Sequence, residues 1–204
     1  MALWNRLTQA FTGNSNDVNQ TFVIADRRGN PLSGSYLVDI AKGKIPGHSV
    51  AFITGRVASF SAPSTIWNVG GMYPWSAWNG GASTLHINSS SASDIHSIMI
   101  NGLDVNFNPI SELVNINGLT FVTTTQQFRR VNSVYHFDSG SMNVGQINVR
   151  IGSTTGTVIA RIEAGIGQSS MSIYTVPAGY TAFSMWGDFS VNKNEGAEQI
   201  GRAH

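Results

Sequence analysis

The histidines of the chain are the side chains most able to bind a metal or transfer protons. Four of them lie well inside the sequence: His48, His86, His96 and His136. A zinc site needs several such ligands at close, regular spacing, and the pair His86 and His96, which straddles a serine-rich segment, is weak by that standard. Histidines at the surface or at strand edges are the favoured interpretation. We therefore expect no metal and no cofactor.

The motifs of hydrolases and phosphate-binding enzymes are incomplete in this sequence. It contains no Gly-x-Ser-x-Gly nucleophile elbow,. The run Gly165-Ile166-Gly167 lacks both the third glycine and the following helix of a phosphate loop. Asp94 and Asp104 are the closest carboxylates in the serine-rich region, but nothing in their spacing favours a glycosidase pair. The sequence predicts a protein that is not an enzyme.

The densest feature is the segment 66–81, IWNVGGMYPWSAWNGG, which contains Trp67, Tyr73, Trp75 and Trp78. Such residues can belong to a core or anchor a subunit interface. They can also form a platform on which sugars stack. The flanking glycines favour a bent loop over a regular strand. Composition leaves the three alternatives open, and the four aromatic residues are our candidates for an interface.

The composition narrows the classes of partner. Only 11% of the 204 residues are charged, the net charge is +1, and there is no cysteine. A typical globular protein has roughly 25% charged residues. The sequence has neither the clustered basic residues of a nucleic-acid-binding protein nor a membrane-spanning run of ~20 apolar residues. A surface with so few charges suits packing against other proteins, because few ions lose their water.

Hydrophobic spacing predicts a β-rich domain preceded by one short helix. Residues 1–20 are predicted to form an amphipathic helix and a linker that act as a docking arm. The apolar stripe of this helix, Trp4, Leu7 and Phe11, needs a surface, either on its own subunit or on a neighbouring one. Residues 21–191 are predicted to form an antiparallel β-sandwich. Residues 192–204 are predicted to form a polar C-terminal tail.

Apolar runs and turn residues predict where the strands lie. Asn117-Gly118 predicts a tight hairpin between two of them, and the alternation in 146–151 predicts that Ile147, Val149 and Ile151 face inward. The predicted strands cover residues 21–25, 36–40, 50–54, 95–101, 110–116, 119–125, 131–137, 146–151, 157–162, 171–176 and 180–191.

One long segment resembles a module of tailed-bacteriophage virion structural proteins. It spans residues 89–134, from a serine-rich start through a strand that ends in Gly102-Leu103-Asp104 to Asn117-Gly118 and a threonine-rich return. Similar pieces follow downstream and upstream, so that the resemblance covers about residues 36–191. These pieces are 39–43 (DIAKG), 46–48 (PGH), 66–67 (IW), 143–147 (NVGQI), 152–156 (GSTTG), 164–169 (AGIGQS) and 174–179 (YTVPAG).

The resemblance implies a nucleoplasmin-like or jelly-roll β-sandwich in a capsid decoration, head fibre, neck or tail component. It implies a homo-oligomer, a pentamer or trimer, that contacts other virion proteins. The expected location is the virion, after synthesis in the host cytoplasm. No catalytic residue is implied. The alternative function is a receptor-binding module that uses the aromatic loop 66–81 to bind a glycan of the host surface.

Overall fold

The computed structural model describes residues 36–59, 62–138, 140–184, 187–188 and 190. The chain divides into two units, Met1–Phe52 and Ile53–His204. The predicted docking arm, the strand predicted over 21–25 and the polar tail lie outside the described residues. No helix among those residues is long and apolar enough to cross a membrane.

The described part of the first unit contains one helix, α1, Tyr36–Ala41. The strand predicted over residues 36–40 is therefore wrong. Asp39 and Ile40 are buried next to each other, whereas Leu37 and Val38 are exposed, and such pairs do not fit the alternation of a strand. Gly43 lies just after the helix and has φ +69°. Its N–H donates to the Ile40 carbonyl at 2.8 Å, and glycine is common in this position after a helix.

The second unit is built from seven strands in two antiparallel sheets, so the prediction of an all-β fold is confirmed for the described residues. One short 3-10 helix, Trp75–Trp78, precedes the strands. The strands are β1 (Leu85–Ser89), β2 (Ser97–Leu103), β3 (Pro109–Asn115), β4 (Val122–Thr123), β5 (Arg130–His136), β6 (Ile147–Ile151) and β7 (Val158–Ile162).

The two sheets have the orders β4-β1-β6-β7 and β3-β2-β5. In the second sheet β2 lies between β3 and β5, and Ile98 pairs with His136 at one end of the β2–β5 ladder while Leu103 pairs with Arg130 at the other. The register shifts between Asn101 and Gly102. The two ends of the ladder therefore lie at His136 and at Arg130.

Both sheets contribute to one hydrophobic core. Ile147, Val149 and Ile151 are all buried, which confirms the inward face predicted for β6. The strand predicted over 110–116 alternates in the same way, since Val114 and Ile116 are buried and Leu113 is 47% exposed. Such alternation is the consequence of successive side chains pointing to opposite faces of a strand.

The hairpin predicted at Asn117-Gly118 is only half right. Gly118 has φ +54°, and Asn117 bridges to Thr120, so the turn is present. However, β3 belongs to one sheet and β4 to the other. The turn therefore carries the chain between sheets, because β4 pairs with β1 at Ile87 and Val122.

Two other predicted regions contain no strand in the described residues. The segment 50–54 has none and leaves Val50, Phe52 and Ile53 exposed. In the region 171–190 only Met171 makes a bridge, to Trp67. A strand needs a partner for its backbone hydrogen bonds, and apolar residues alone do not supply one.

Candidate functional site

The aromatic loop 66–81 is folded back on the core, and one of its aromatic residues faces solvent. Trp67, Tyr73 and Trp78 are only 2%, 3% and 3% exposed, whereas Trp75 is 48% exposed. The burial agrees with the core alternative for the first three. Of the four candidate interface residues in this loop, Trp75 alone keeps a large exposed surface.

Short-range contacts hold this loop in place. The Trp67 indole N–H donates to the Gly71 carbonyl at 2.9 Å, and the Tyr73 ring meets the Trp75 ring edge-on, with 4.6 Å between centroids. Asn79, which directly follows the 3-10 helix, has φ 44°. Burial raises the pKa of Tyr73 to about 12, so the phenol stays protonated and neutral.

Trp75 belongs to a cluster with two arginines and a phenylalanine, which we call the aromatic–arginine cluster: Trp75, Phe107, Arg129 and Arg130. The Arg130 guanidinium carbon lies 5.4 Å from the Trp75 ring centroid and 5.8 Å from that of Phe107. Arg129 lies 5.7 Å from the Phe107 ring. These distances are within the range of cation–π attraction.

Neither arginine of the cluster forms an ion pair within the described residues. Arg129 donates to the Gly81 carbonyl at 3.1 Å, which fixes the aromatic loop to the start of β5. Burial, followed by the charge of Arg129, lowers the pKa of Arg130 from its ordinary value. A guanidinium nevertheless remains protonated in proteins, so the cluster carries two cations at neutral pH.

Phe107 reaches the cluster from the turn between β2 and β3 in an unusual backbone conformation. Its φ is 62°, which is rare for a bulky residue. The turn is organised by Asp104, whose carboxylate accepts the backbone N–H groups of Asn106 and Asn108 at 2.8 Å each. The Phe107 carbonyl also accepts the Ala178 N–H at 2.9 Å. A strained residue held by several contacts is a common feature of functional surfaces.

The opposite end of the β2–β5 ladder carries the histidine–aspartate cluster: Asp94, His96, His136 and Asp138. His96 immediately precedes β2, His136 ends β5, and Asp138 follows two residues later. The His96 and His136 side chains are 7% and 8% exposed, and that of Asp138 is 35% exposed. The centroids of the His96 and His136 rings lie 4.6 Å apart.

The carboxylate of Asp138 faces both imidazoles. Its Oδ2 lies 3.9 Å from His96 Nδ1, and its Oδ1 lies 3.9 Å from His136 Nδ1. Oδ2 also accepts the Ser97 N–H at 2.9 Å, which anchors the carboxylate. The His136 Nε2 atom is buried and has no hydrogen-bond partner among the described residues. Burial, with a further contribution from His96, lowers the pKa of His136, which favours its neutral form.

Asp94 is the most deeply buried member of the histidine–aspartate cluster and lies beside His96. It is fully buried and accepts the Ser89 hydroxyl at 2.5 Å and the N–H groups of Val144 and Gly145 at 2.7 and 2.9 Å. Its Oδ1 lies 3.8 Å from His96 Nε2. Burial opposes the charge of Asp94, but these hydrogen bonds outweigh it and lower the pKa of the carboxyl group.

The remaining candidates from the sequence lie elsewhere. His48 contacts the Pro46 carbonyl at 3.1 Å, and His86 contacts the Thr123 hydroxyl at 3.1 Å on the β1–β4 pair. The terminal candidates Trp4, Leu7 and Phe11 lie outside the described residues.

The sequence interpretation missed the histidine–aspartate cluster, although a local signal for it exists. Asp94-Ile95-His96 and His136-Phe137-Asp138 are two short motifs in which acid and histidine lie two residues apart. On extended chain such residues face the same side. The intervening Ile95 and Phe137 are 71% and 58% exposed, as this alternation requires.

Comparison with known proteins adds no relative, since no protein-family model, curated protein or solved structure matches the chain significantly.

Proposed function

We propose that this chain is a non-enzymatic structural protein of a bacteriophage virion. It assembles with copies of itself, as a pentamer or trimer, and decorates or connects the capsid, neck or tail. The two antiparallel sheets then correspond to a jelly-roll or nucleoplasmin-like sandwich. The virion part of the proposal rests on the resemblance of residues 36–191 to phage structural proteins.

The aromatic–arginine cluster carries the assembly part of the proposal. Tryptophan and arginine are the residues most enriched among the energetic anchors of protein interfaces. Trp75 is 48% exposed and lies beside Arg130. Neither Arg130 nor Arg129 has a carboxylate partner among the described residues. A second subunit would bury the indole and offer polar or acidic groups to the two cations.

The small number of charged residues and the exposed apolar side chains also support assembly. Only 11% of the residues are charged, so that a neighbour can approach without removing water from many ions. Large apolar side chains of the second unit are exposed besides Trp75, for example Met72 at 68% and Phe183 at 79%. Exposed apolar area of this kind is common at contacts between proteins.

Sedimentation velocity at micromolar concentration tests the assembly. We expect a closed homo-oligomer for the wild type and a shift toward monomer for Trp75→Ser, because loss of an interface anchor costs about 2 kcal/mol or more. Leu113→Thr is the matched control, since Leu113 is 47% exposed on β3, outside the cluster. A monomeric wild type, or an equal effect of both substitutions, contradicts the proposal.

The virion location requires a separate test. Particles purified from host cells that produce this protein should contain it in many copies by quantitative mass spectrometry. If the protein remains in the unassembled fraction, the virion part of the proposal is wrong, whatever the oligomeric state.

A second candidate is a module that binds a host-surface glycan. Its support is the exposed Trp75 ring, together with an open depression of about 400 Å³ beside the same loop, lined in part by Trp78, Asn79, Ser83 and Ser153. Aromatic rings and polar groups together suit a sugar ligand. Titration with a panel of host polysaccharides should quench tryptophan fluorescence in the wild type and less in Trp75→Ala. The absence of quenching by every sugar contradicts this candidate.

A further inference from the structure

We propose that His96, His136 and Asp138 bind one divalent transition-metal ion of the Zn²⁺ type, which joins the ends of β2 and β5. One nitrogen or oxygen atom from each of the three residues lies within 4.8 Å of the others. The site is distinct from the aromatic–arginine cluster, which lies at the other end of the same strands. It does not depend on the proposed virion function.

The strand register brings the three ligands to one face. Ile98 pairs with His136, and continuation of the ladder toward the N-terminus of β2 places His96 opposite Asp138. The Phe137 N–H, which donates to the Ser97 carbonyl at 2.8 Å, shows that the pairing extends one residue beyond the end of β5. Opposite residues of an antiparallel pair lie on the same face, as do residues two apart on one strand.

The spacing of the ligand atoms is close to what a metal requires. Zinc bonds of about 2.0–2.1 Å in tetrahedral geometry separate ligand atoms by about 3.4 Å. The distances from Asp138 to the two Nδ1 atoms are 3.9 Å each. These two distances run to different carboxylate oxygens, and a set of one atom from each residue lies within 4.8 Å. A contraction of about half an ångström to about 1.4 Å therefore brings the three ligand atoms into range. The Asp138 side chain, which is 35% exposed, has room to make it.

The environment of the cluster suits a bound cation. His136 Nε2 is buried without a hydrogen-bond partner in the described part of the chain, so the ring is not already committed to a full hydrogen-bond network. If His96 binds the metal through Nδ1, its Nε2 faces the Asp94 carboxylate at 3.8 Å. A carboxylate behind a metal-binding histidine is the usual arrangement, since it fixes the tautomer and orients the ring.

The ligand set selects the class of metal. Two imidazoles and one carboxylate suit Zn²⁺, Ni²⁺ or Co²⁺, whereas Mg²⁺ and Ca²⁺ prefer oxygen ligands alone. The exposed side of Asp138 leaves room for water as a fourth ligand. We therefore use Zn²⁺ alone as the probe and Mg²⁺ as the comparison ion.

Isothermal titration calorimetry and thermal unfolding of the full chain, after treatment with a chelator, test the proposal. We expect one Zn²⁺ per chain and a higher Tm with Zn²⁺ but not with Mg²⁺. With Co²⁺ we expect visible absorption bands of a nitrogen- and oxygen-ligated ion. His136→Ala should abolish saturable binding, and Asp138→Asn should weaken it at least about tenfold. His86→Ala, which removes a histidine from β1, should bind Zn²⁺ as the wild type does.

Three results overturn the proposal. The wild type does not bind Zn²⁺, or His136→Ala binds Zn²⁺ as the wild type does, or His86→Ala loses as much Zn²⁺ affinity as the cluster variants. If His136→Ala does not fold by circular dichroism, Asp138→Asn decides the matter. The latter keeps an oxygen that can accept the Ser97 N–H, so it preserves the local structure while it removes the charge.

Discussion

Substitution of the buried Asp94 by alanine should strongly destabilise the second unit. The carboxylate accepts hydrogen bonds from the Ser89 hydroxyl and from the N–H groups of Val144 and Gly145. It therefore joins the end of β1 to the segment that leads into β6. Removal of the carboxylate leaves these buried donors without a partner.

The magnitude follows from these contacts. Hydrogen bonds to a charged group contribute about 1.5–3 kcal/mol each, and the cost of burying the charge of Asp94 offsets part of this total. Ser89 Oγ still accepts the Ser91 N–H at 3.1 Å, but its hydroxyl proton loses its acceptor. We expect Asp94→Ala to lower the free energy of unfolding by about 3–5 kcal/mol, a large share of the ~5–15 kcal/mol typical of a domain.

Asp94→Asn should have an intermediate effect. An asparagine oxygen in the Oδ2 position keeps the contacts with Ser89 and Gly145, but its NH₂ group then faces the Val144 N–H, donor against donor. We expect a loss of about 1–3 kcal/mol, the cost of one unsatisfied buried donor.

Urea denaturation followed by tryptophan fluorescence, with a chelator present, measures the free energy of unfolding of Asp94→Ala, Asp94→Asn and a control variant. Asp188→Ala is the control, because it removes the same charge from an exposed position and should change stability by no more than about 0.5 kcal/mol. The reasoning is refuted if Asp94→Ala loses less than about 1 kcal/mol or matches the control.

The pH dependence of this variant provides an independent check. The pKa of Asp94 is lowered in the folded chain, so its contribution to stability is fully present above the unfolded pKa of about 3.9. It is lost as the pH falls through the folded pKa. The titratable group that faces it is His96, at 3.8 Å. The stability difference between wild type and Asp94→Ala should therefore shrink below pH ~4, and a difference that grows there contradicts the assignment.

Two further predictions concern the C-terminal end of β2. Gly102→Ala should cost about 1–3 kcal/mol, because a Cβ at this bulge overlaps the Arg130 carbonyl oxygen, whereas Gly81→Ala meets no atom within 4 Å and serves as the control in the same urea assay. Equal free energies of unfolding of Gly102→Ala and Gly81→Ala would contradict this prediction. The hydrogen bond from the backbone N–H of Asn108 is the largest of the causes that lower the pKa of Asp104. This hydrogen bond should therefore persist until the pH falls through the folded pKa, which lies below the unfolded value of about 3.9. The Asn108 amide signal in an NMR titration should report that midpoint and should lose the transition in Asp104→Asn; a midpoint above 3.9 argues against the contact.

The local periodicity of the sequence predicts the sheets better than it predicts their connections. The inward face of β6 follows from the alternation of Ile147, Val149 and Ile151, because a side-chain period of two is a local property. The partner of a strand is not local. The turn at Gly118 is visible in the sequence, but the pairing of β4 with β1 depends on contacts far along the chain.

The same distinction explains what could be predicted of the functional residues. The aromatic loop is evident from composition, yet the burial of Tyr73 and the exposure of Trp75 depend on how the loop packs on the core. The motifs Asp94-x-His96 and His136-x-Asp138 are likewise visible as local pairs. Their meeting requires the β2–β5 ladder, and a pattern search limited to neighbouring residues does not find it.

The two clusters lie at opposite ends of one pair of strands, and this separation makes the two proposals independent. Arg130 and His136, which belong to the two clusters, are the first and last residues of β5, and their separation along the strand is about 20 Å at ~3.3 Å per residue. Substitutions this far apart, with no shared contacts, usually act additively. Trp75→Ser should therefore alter assembly and leave Zn²⁺ binding unchanged, while Asp138→Asn should do the reverse. A variant that changed both properties would indicate that the ladder itself transmits the effect between its ends.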